Sequence, residues 1–400
     1  MNWEKDIIGK HCEITSSKRI FYSEYVKEGI PFYRSKEIIE ASQGQAISEP
    51  LYISFEKYNE IKKQFGVPAP GDMLLTSVGT IGIPYIVKLN DCFYFKDGNL
   101  TWFRNFDKLL LSKFLYYWIS SNEGQSILNN TTIGSSQKAL TISSLKQLEC
   151  PLPPVGVQSQ IVNILESYDN LIENNQKQIK LLEEAAQRLY KEWFVDLRFP
   201  GYEDVQIVDG VPEGWKKTTI ENKCTLKKTI VHPEETQTGT AYIGLEHIPR
   251  HDFCLSNWGD ASEVSSNKYI YNQKDIIFGQ IRPYFHKVGF AINDGVASTD
   301  SFIMKPDERC WGLFLLTVSS DAFVQFAYQT CKEGAKMPRA DWRQMKEYPL
   351  LIPGASLLCR FETFVAEITD KIRTIVLQNR YLTEARNRLL PKLMSGEIEL

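Results

Sequence analysis

Arginine, lysine, amide and small hydroxyl side chains recur at turn-like positions in two stretches of this 400-residue chain. In the first they are Arg34, Ser35, Lys36, Gln43, Gln45, Thr76, Ser77, Thr80, Lys96, Asn99 and Lys138. In the second they are Glu246, His247, Arg250, Gln280, Arg282, Tyr284, Lys287, Lys332, Lys336 and Arg339. Arg and Lys bridge guanine O6 and N7, Asn and Gln pair with adenine, and Glu accepts from cytosine. Lys and Ser also hold phosphates without reading sequence. A single loop lysine is more often merely solvated. The weight rests on repetition, because polar loops follow the same apolar strand in both stretches, at Thr76–Thr80 and at Gly279–Pro283.

Catalytic signatures are missing. The chain has no Gly-x-x-x-x-Gly-Lys-Ser/Thr loop, no Gly-x-Ser-x-Gly elbow and no His-Glu-x-x-His. The Asn/Asp-Pro-Pro-Tyr/Phe motif of amino-group DNA methyltransferases is absent too; Pro151-Leu-Pro-Pro154 reads as the lead-in to a helix. His11, His232, His247, His251 and His286 are not spaced as a ligand set, so no metal site is expected. The 8 cysteines form no Cys-x-x-Cys pair, and Cys12 and Cys224, at matching places in the two halves, read as buried apolar positions. The net charge of −3 disfavours a lone nucleic-acid binder, unless basic groups are locally concentrated or partners supply phosphate contacts. Apolar runs such as Phe114–Ile119 and Trp311–Val318 are too short to span a membrane. The first six residues carry no apolar signal region, so a cytoplasmic location is expected.

What positions the polar loops is an internal repeat. Shifting Ile161–Trp193 by 200 positions gives Phe361–Leu393 without a gap, and Ile172, Gln178, Leu182, Glu184, Ala185, Arg188 and Leu189 each meet an identical residue. A 4-3 spacing picks out ten layers in each copy. The first seam includes Leu165, Ile172, Asn175, Ile179, Leu182 and Leu189, and the second includes Val365, Ile372, Ile375, Asn379, Leu382 and Leu389. Such a seam argues for a coiled coil. If the helices overlap fully and run antiparallel, Asn175 in the fifth layer meets Asn379 in the sixth and fixes the register. If they are staggered, each Asn faces water. The fold class expected is α+β: two globular domains alternating with two long helices that pair as an antiparallel coiled coil, with pseudo-two-fold symmetry. The expected divisions are 1–150 and 200–346 for the globular domains, and 151–199 and 347–400 for the helical segments. Two-fold symmetry is a common way to read two half-sites on DNA.

Specific motifs then suggest a family. Pro151-Leu-Pro-Pro154 leads into a helix containing Leu181-Leu-Glu-Glu-Ala185 and ending Lys191-Glu-Trp-Phe194. Val211-Pro-Glu-Gly-Trp215 opens the second domain, and Leu389-Leu-Pro-Lys-Leu-Met-Ser-Gly396 lies near the C-terminus. Along essentially its whole length the chain resembles the specificity subunit of type I restriction-modification systems. It departs from that pattern at Val157-Gln-Ser-Gln160 and Pro349-Leu-Leu-Ile-Pro353, where Glu-Gln and Pro-Pro are usual. The resemblance implies that each globular domain is a target recognition domain for one half of an asymmetric DNA site. The helices would set the spacer and dock two methyltransferase subunits, and restriction/translocase subunits would join them. S-adenosylmethionine, ATP and Mg would sit on those partners, with no active site or cofactor in this chain. The alternatives are a coiled-coil scaffold that does not read DNA, and a duplicated hydrolase with an unrecognised site.

Overall fold

The computed structural model describes residues 3–44, 47, 49–134, 138–332 and 334–400. The chain forms two compact units, Met1–Glu173 with Tyr381–Leu400, and Asn174–Arg380. The boundary falls inside both long helices, Val155–Tyr190 and Ala355–Ser395, so each unit takes part of each helix into its own packing.

The first unit holds a four-stranded antiparallel sheet in the order Glu13–Thr15, Leu100–Arg104, Met73–Thr76, Pro84–Ile86. A second four-stranded sheet contains one parallel pair, Ile30–Tyr33 beside Tyr94–Phe95. The second unit repeats this plan. Its four-stranded sheet runs Cys224–Lys227, Ser301–Pro306, Ile276–Gly279, Val288–Phe290, and its five-stranded sheet has one parallel pair, Ala241–Ile243 beside Gly295–Ser298. Gly71-Asp-Met-Leu-Leu-Thr76 and Lys274-Asp-Ile-Ile-Phe-Gly279, which share an aspartate followed by three apolar residues, enter the same strand of equivalent sheets. In each, an aspartate closes the entry turn: Asp72 accepts from the Ala69 amide at 2.9 Å and from the Trp102 indole at 2.8 Å, and Asp275 accepts from the Asn272 amide at 2.7 Å.

Helices Ser112–Ser120 and Trp311–Val318 occupy equivalent places and pack on the long helices. In the first unit, Phe114, Leu115 and Trp118 share one buried core with Ile161, Leu165 and Leu393. In the second, Phe314 and Leu316 share a core with Ala186, Phe361, Val365 and Ile372. Gly312 marks how closely the second pair approaches, since a Cβ there would lie 2.7 Å from a Val365 methyl.

The helix register follows the seam. In the second unit Asn175 Nδ2 donates to Asn379 Oδ1 at 2.8 Å, and the Trp193 and Phe361 rings, tenth and first layers, lie 5.7 Å apart. In the first unit Arg386 pairs with Asp169, next to the third-layer Tyr168. Every named seam residue is buried or half-buried. The seam is more than a two-helix contact, because its layers are also core positions of the domains.

Polar side chains seat each domain on its helix. Gln158, fully buried, accepts from the Leu111 amide at 2.9 Å and donates to the Leu109 and Pro153 carbonyls at 2.7 and 2.8 Å. Glu362 accepts from the Gly312 and Leu313 amides at 2.7 and 3.0 Å. Both caps satisfy orphan N–H groups at a helix N-terminus. Gln158 therefore keeps an ordered helix entry despite the unusual Val157-Gln-Ser-Gln160 sequence. Among the described residues no single helix is long and apolar enough to cross a membrane.

Candidate nucleic-acid interface

In both units the loop after the central strand meets the loop that precedes the long helix. In the first, the Leu140 amide donates to the Ser77 carbonyl at 2.9 Å and Val78 bridges Ala139, which brings exposed Thr80 and Lys138 into one neighbourhood. In the second, the Arg282 amide donates to the Pro338 carbonyl at 2.8 Å and the Ala340 amide to the Gln280 carbonyl at 3.0 Å. Gln280, Arg282 and Arg339 thus share one surface.

That surface is the richer of the two. The Arg250 and Arg282 guanidinium groups lie 4.2 and 5.9 Å from the centroid of the Phe285 ring, which acts as a platform for two cations. Tyr284 is exposed and packs edge-on against Phe285 and Tyr328, with centroids 4.9 and 5.4 Å away. Lys287 donates to the Leu245 carbonyl, and burial, followed by the nearby Arg250 charge, pulls its pKa down. Glu246 is exposed beside His247, whose Nδ1 accepts from the Gly244 amide at 2.9 Å. Arg339 pairs with Asp300 at 2.7 Å, while Lys332 and Lys336 are exposed. Arg282 adopts a left-handed backbone (φ 50°), uncommon outside Gly and a mark of a closely specified turn. The role of Phe285 is visible only once Arg250, far away in the chain, stacks on it.

The first unit gathers Arg34, Ser35, Lys96, Asn99 and the Ser77 backbone. The Ser77 amide donates to the Asn99 carbonyl at 2.8 Å, and the Lys96 amide to the Tyr33 carbonyl at 2.8 Å. Lys36 pairs with Glu49 at 3.0 Å, and Gln43 is exposed at the end of helix Ser35–Ser42. Gln45 lies outside the described residues.

Three expectations need correction. Thr76 and Ser77 are buried and internally bonded: Thr76 Oγ1 accepts from the Ile83 amide at 2.9 Å, and Ser77 Oγ lies 2.6 Å from Thr101 Oγ1. They hold the loop together and do not face a ligand. Arg34 is bonded to Glu37, whose side chain is 0% exposed. Burial raises the Glu37 pKa, but bonds from the Arg34 side chain and backbone outweigh it and leave the carboxyl below its usual range. Arg34→Ala is therefore expected to destabilise the first unit by about 2–3 kcal/mol, since it strips a buried charge of its guanidinium bonds and leaves only those to the backbone. Arg282→Ala should leave the urea midpoint unchanged, cost about 1–3 kcal/mol in binding the preferred DNA and relax one half-site. Urea titration and competition binding on both variants separate the two effects.

The spacing of the histidines in sequence offers no ligand set, but the fold brings His251 and His286 together with Asp321, their ligand atoms within 4.8 Å of one another. Their separation in sequence concealed it.

Residues 1–184 match the family model described as type I restriction modification DNA specificity domain. The chain is similar to the type I restriction enzyme MjaIX specificity subunit of Methanocaldococcus jannaschii, 25% identical over 405 residues that cover 94% of this chain and 88% of that one. It is also similar to the putative type I restriction enzyme specificity subunit S.HindORF215P of Haemophilus influenzae, 30% identical over 186 residues, 46% of this chain and 45% of that one. In fold it resembles the crystal structure of the type I restriction-modification system S subunit from M. genitalium, with a TM-score of 0.58, 16% identity and coverage of 98% and 96%. Residues 1–184 thus match a type I restriction modification DNA specificity domain, and along most of its length the chain is similar to specificity (S) subunits of type I restriction-modification systems.

Proposed function

We propose that the chain is the non-catalytic DNA-reading subunit of a type I methyltransferase and restriction complex. The first domain reads one half of an asymmetric, gapped site and the second domain reads the other. One observation carries this reading. The same junction, of the loop after the central strand with the loop before the long helix, recurs in both units but presents different side chains: Thr80 and Lys138 in one, Gln280, Arg282 and Arg339 in the other. A shared scaffold with divergent surfaces is what two half-sites of different sequence require. At about 1.5 Å per residue, each long helix is roughly 50–60 Å long, enough to span half-sites about 34 Å apart and so set the spacer.

The helices also offer docking faces for two methyltransferase subunits, which would carry S-adenosylmethionine. Leu181 is 64% exposed, and the Glu184–Arg188 pair flanks it. The repeat places Tyr381, 69% exposed, beside the Glu384–Arg388 pair. Exposed apolar groups rimmed by charges mark protein-binding sites. Restriction/translocase subunits using ATP and Mg would join the same complex, which acts on double-stranded DNA in the cytoplasm. Leu181→Asp with Tyr381→Asp is expected to abolish co-purification with the methyltransferase partner and leave the circular dichroism spectrum unchanged. Unchanged co-purification would move the docking face elsewhere.

The test of DNA reading is genome-wide adenine methylation with and without this gene. One asymmetric gapped motif should vanish on deletion, and exchanging residues 1–150 should alter only one of its halves. A scaffold that does not read DNA would leave the motif unchanged on that exchange.

A further inference from the structure

Three segments of the second unit, distant in sequence, meet at His251, His286 and Asp321. His251 follows Arg250, which stacks on the Phe285 platform. His286 ends the short turn Pro283–Phe285, immediately after Tyr284 and Phe285. Asp321 is the first residue of helix Asp321–Gln329. The two histidines are held together through the backbone, the His251 amide donating to the His286 carbonyl at 3.1 Å, with ring centroids 4.5 Å apart. Both take left-handed backbone conformations, φ 66° and 52°. Such strain persists only where the surrounding structure dictates it.

The hydrogen bonds define what the site lacks. His286 is 5% exposed, and its Nε2 lies 2.8 Å from the Ser319 carbonyl oxygen. A carbonyl only accepts, so Nε2 carries a proton and donates it. The other ring nitrogen, Nδ1, then faces Asp321 Oδ1 at 3.2 Å. A carboxylate oxygen also only accepts. Two acceptors at that distance call for a cation between them, either a second proton on the ring or a metal ion. A proton would account for the pair alone. It would leave out His251, whose ligand atom lies within 4.8 Å of those of His286 and Asp321.

We propose that His251, His286 and Asp321 bind a divalent transition-metal ion, for which zinc is the best match. Two imidazoles and a carboxylate are borderline donors suited to zinc, with bonds of about 2.0–2.2 Å and a fourth position left to water. Ligand atoms around a tetrahedral ion of that size sit roughly 3.3 Å apart, so exposed His251 and Asp321 need move only about 1 Å inward. The Ser319 carbonyl supplies the outer bond that fixes the His286 tautomer and orients its ring, the usual support of a metal-bound histidine. The ion would clamp the turn carrying Arg282 and Tyr284 to the His251 segment and to the start of the helix, bracing this surface before DNA arrives. Metal binding itself does not depend on the DNA-reading proposal, and its test involves no DNA.

The experiment uses the purified full chain, stripped with a chelator and titrated with zinc. Gel filtration followed by elemental analysis should recover one zinc per chain, and competition with a chromophoric chelator gives the affinity. His251→Ala and Asp321→Asn alter exposed side chains and should each weaken binding at least tenfold with an unchanged circular dichroism spectrum. Cobalt in place of zinc should show visible bands of a four-coordinate nitrogen–oxygen site, lost in His251→Ala; sulfur-to-cobalt bands would instead mean binding at exposed Cys92 or Cys359 and would overturn the assignment. Hydrogen exchange of the amides from 284 to 287 should slow when zinc is added. No zinc retained, or retention indifferent to both substitutions, overturns the site. A His286 imidazolium that titrates against Asp321 without retaining metal identifies the proton as the cation and overturns it equally.

Discussion

Asn175→Ala is expected to destabilise the second unit by about 1–3 kcal/mol, whereas Asn175→Leu combined with Asn379→Leu is expected to leave it as stable or more stable. The asymmetry follows from burial. Asn175 is buried, Asn379 is half-buried, and the 2.8 Å bond between them satisfies polar groups inside an apolar seam. Removing one partner takes from Asn379 Oδ1 its bond with Asn175 and leaves the desolvation penalty in place; removing both replaces the pair with apolar contact. In two free helices the leucine pair would also loosen the register, since buried asparagines specify alignment. Here the alignment is held elsewhere as well. Trp193 packs on Phe361 in the second unit, and Arg386 reaches Asp169 in the first. The double variant should therefore gain stability in urea and keep its register. A disulfide formed between Ile179→Cys and Ile375→Cys, facing layers one step from the asparagines, reports that register. An alanine variant as stable as the parent would mean that water serves the asparagines as well as they serve each other.

The helix pair was legible because its signal is periodic and repeated. A heptad seam depends on residue type and spacing alone, and the offset of 200 residues shows which position in one copy corresponds to which in the other. The strand before each polar loop was legible for a related reason, as the Asp-closed turn into Met73–Thr76 and Ile276–Gly279 is written locally in both copies. The candidate surface was only partly legible. Sequence gives the donors and acceptors but not whether folding consumes them. Thr76 and Ser77 are suitable by type and are spent on Ile83 and Thr101. Arg34 is suitable by type and is held by Glu37, three residues away, in a pairing that becomes compelling only once Glu37 is known to be buried. Phe285 and the His251, His286 and Asp321 group escaped notice because each joins segments that only tertiary structure brings together. A periodic pattern survives projection onto one dimension; a convergence of loops does not.

Among the described carboxylates, Glu183 carries the largest pH effect expected. It stands on the first long helix, buried, and accepts from the Phe253 and Cys254 amides at 2.9 and 2.7 Å. It therefore anchors the segment that leads from Arg250 and His251 into the core. Burial, followed by repulsion from Asp252, outweighs the two amide bonds and pushes its pKa from the ordinary 4.5 up to about 8. A raised carboxyl pKa in the folded chain makes the protonated form the native one. The unfolded chain releases that proton near pH 4.5, the folded chain only near pH 8, so between those values the folded state binds more protons than the unfolded. Stability must then fall as pH rises from about 4.5 to about 8 and level off above. At about 1.4 kcal/mol per pKa unit, a rise from 4.5 to about 8 corresponds to a loss on the order of 5 kcal/mol across that window. Glu183→Gln keeps an oxygen for both amides and has no charge to bury. It should match the parent at pH 5, exceed it by roughly that amount at pH 8, and flatten the profile between. Some slope should remain, because burial also raises the pKa of neighbouring Asp252. Glu183→Ala should instead be weaker than Glu183→Gln at every pH, since it leaves the Phe253 and Cys254 amides without their acceptor at a cost of about 1–3 kcal/mol each. Urea unfolding at pH 5, 6.5 and 8 measures all three proteins. Parallel profiles for the parent and Glu183→Gln would mean that Glu183 is ionised in the folded chain at neutral pH, and that the two amides outweigh the burial after all.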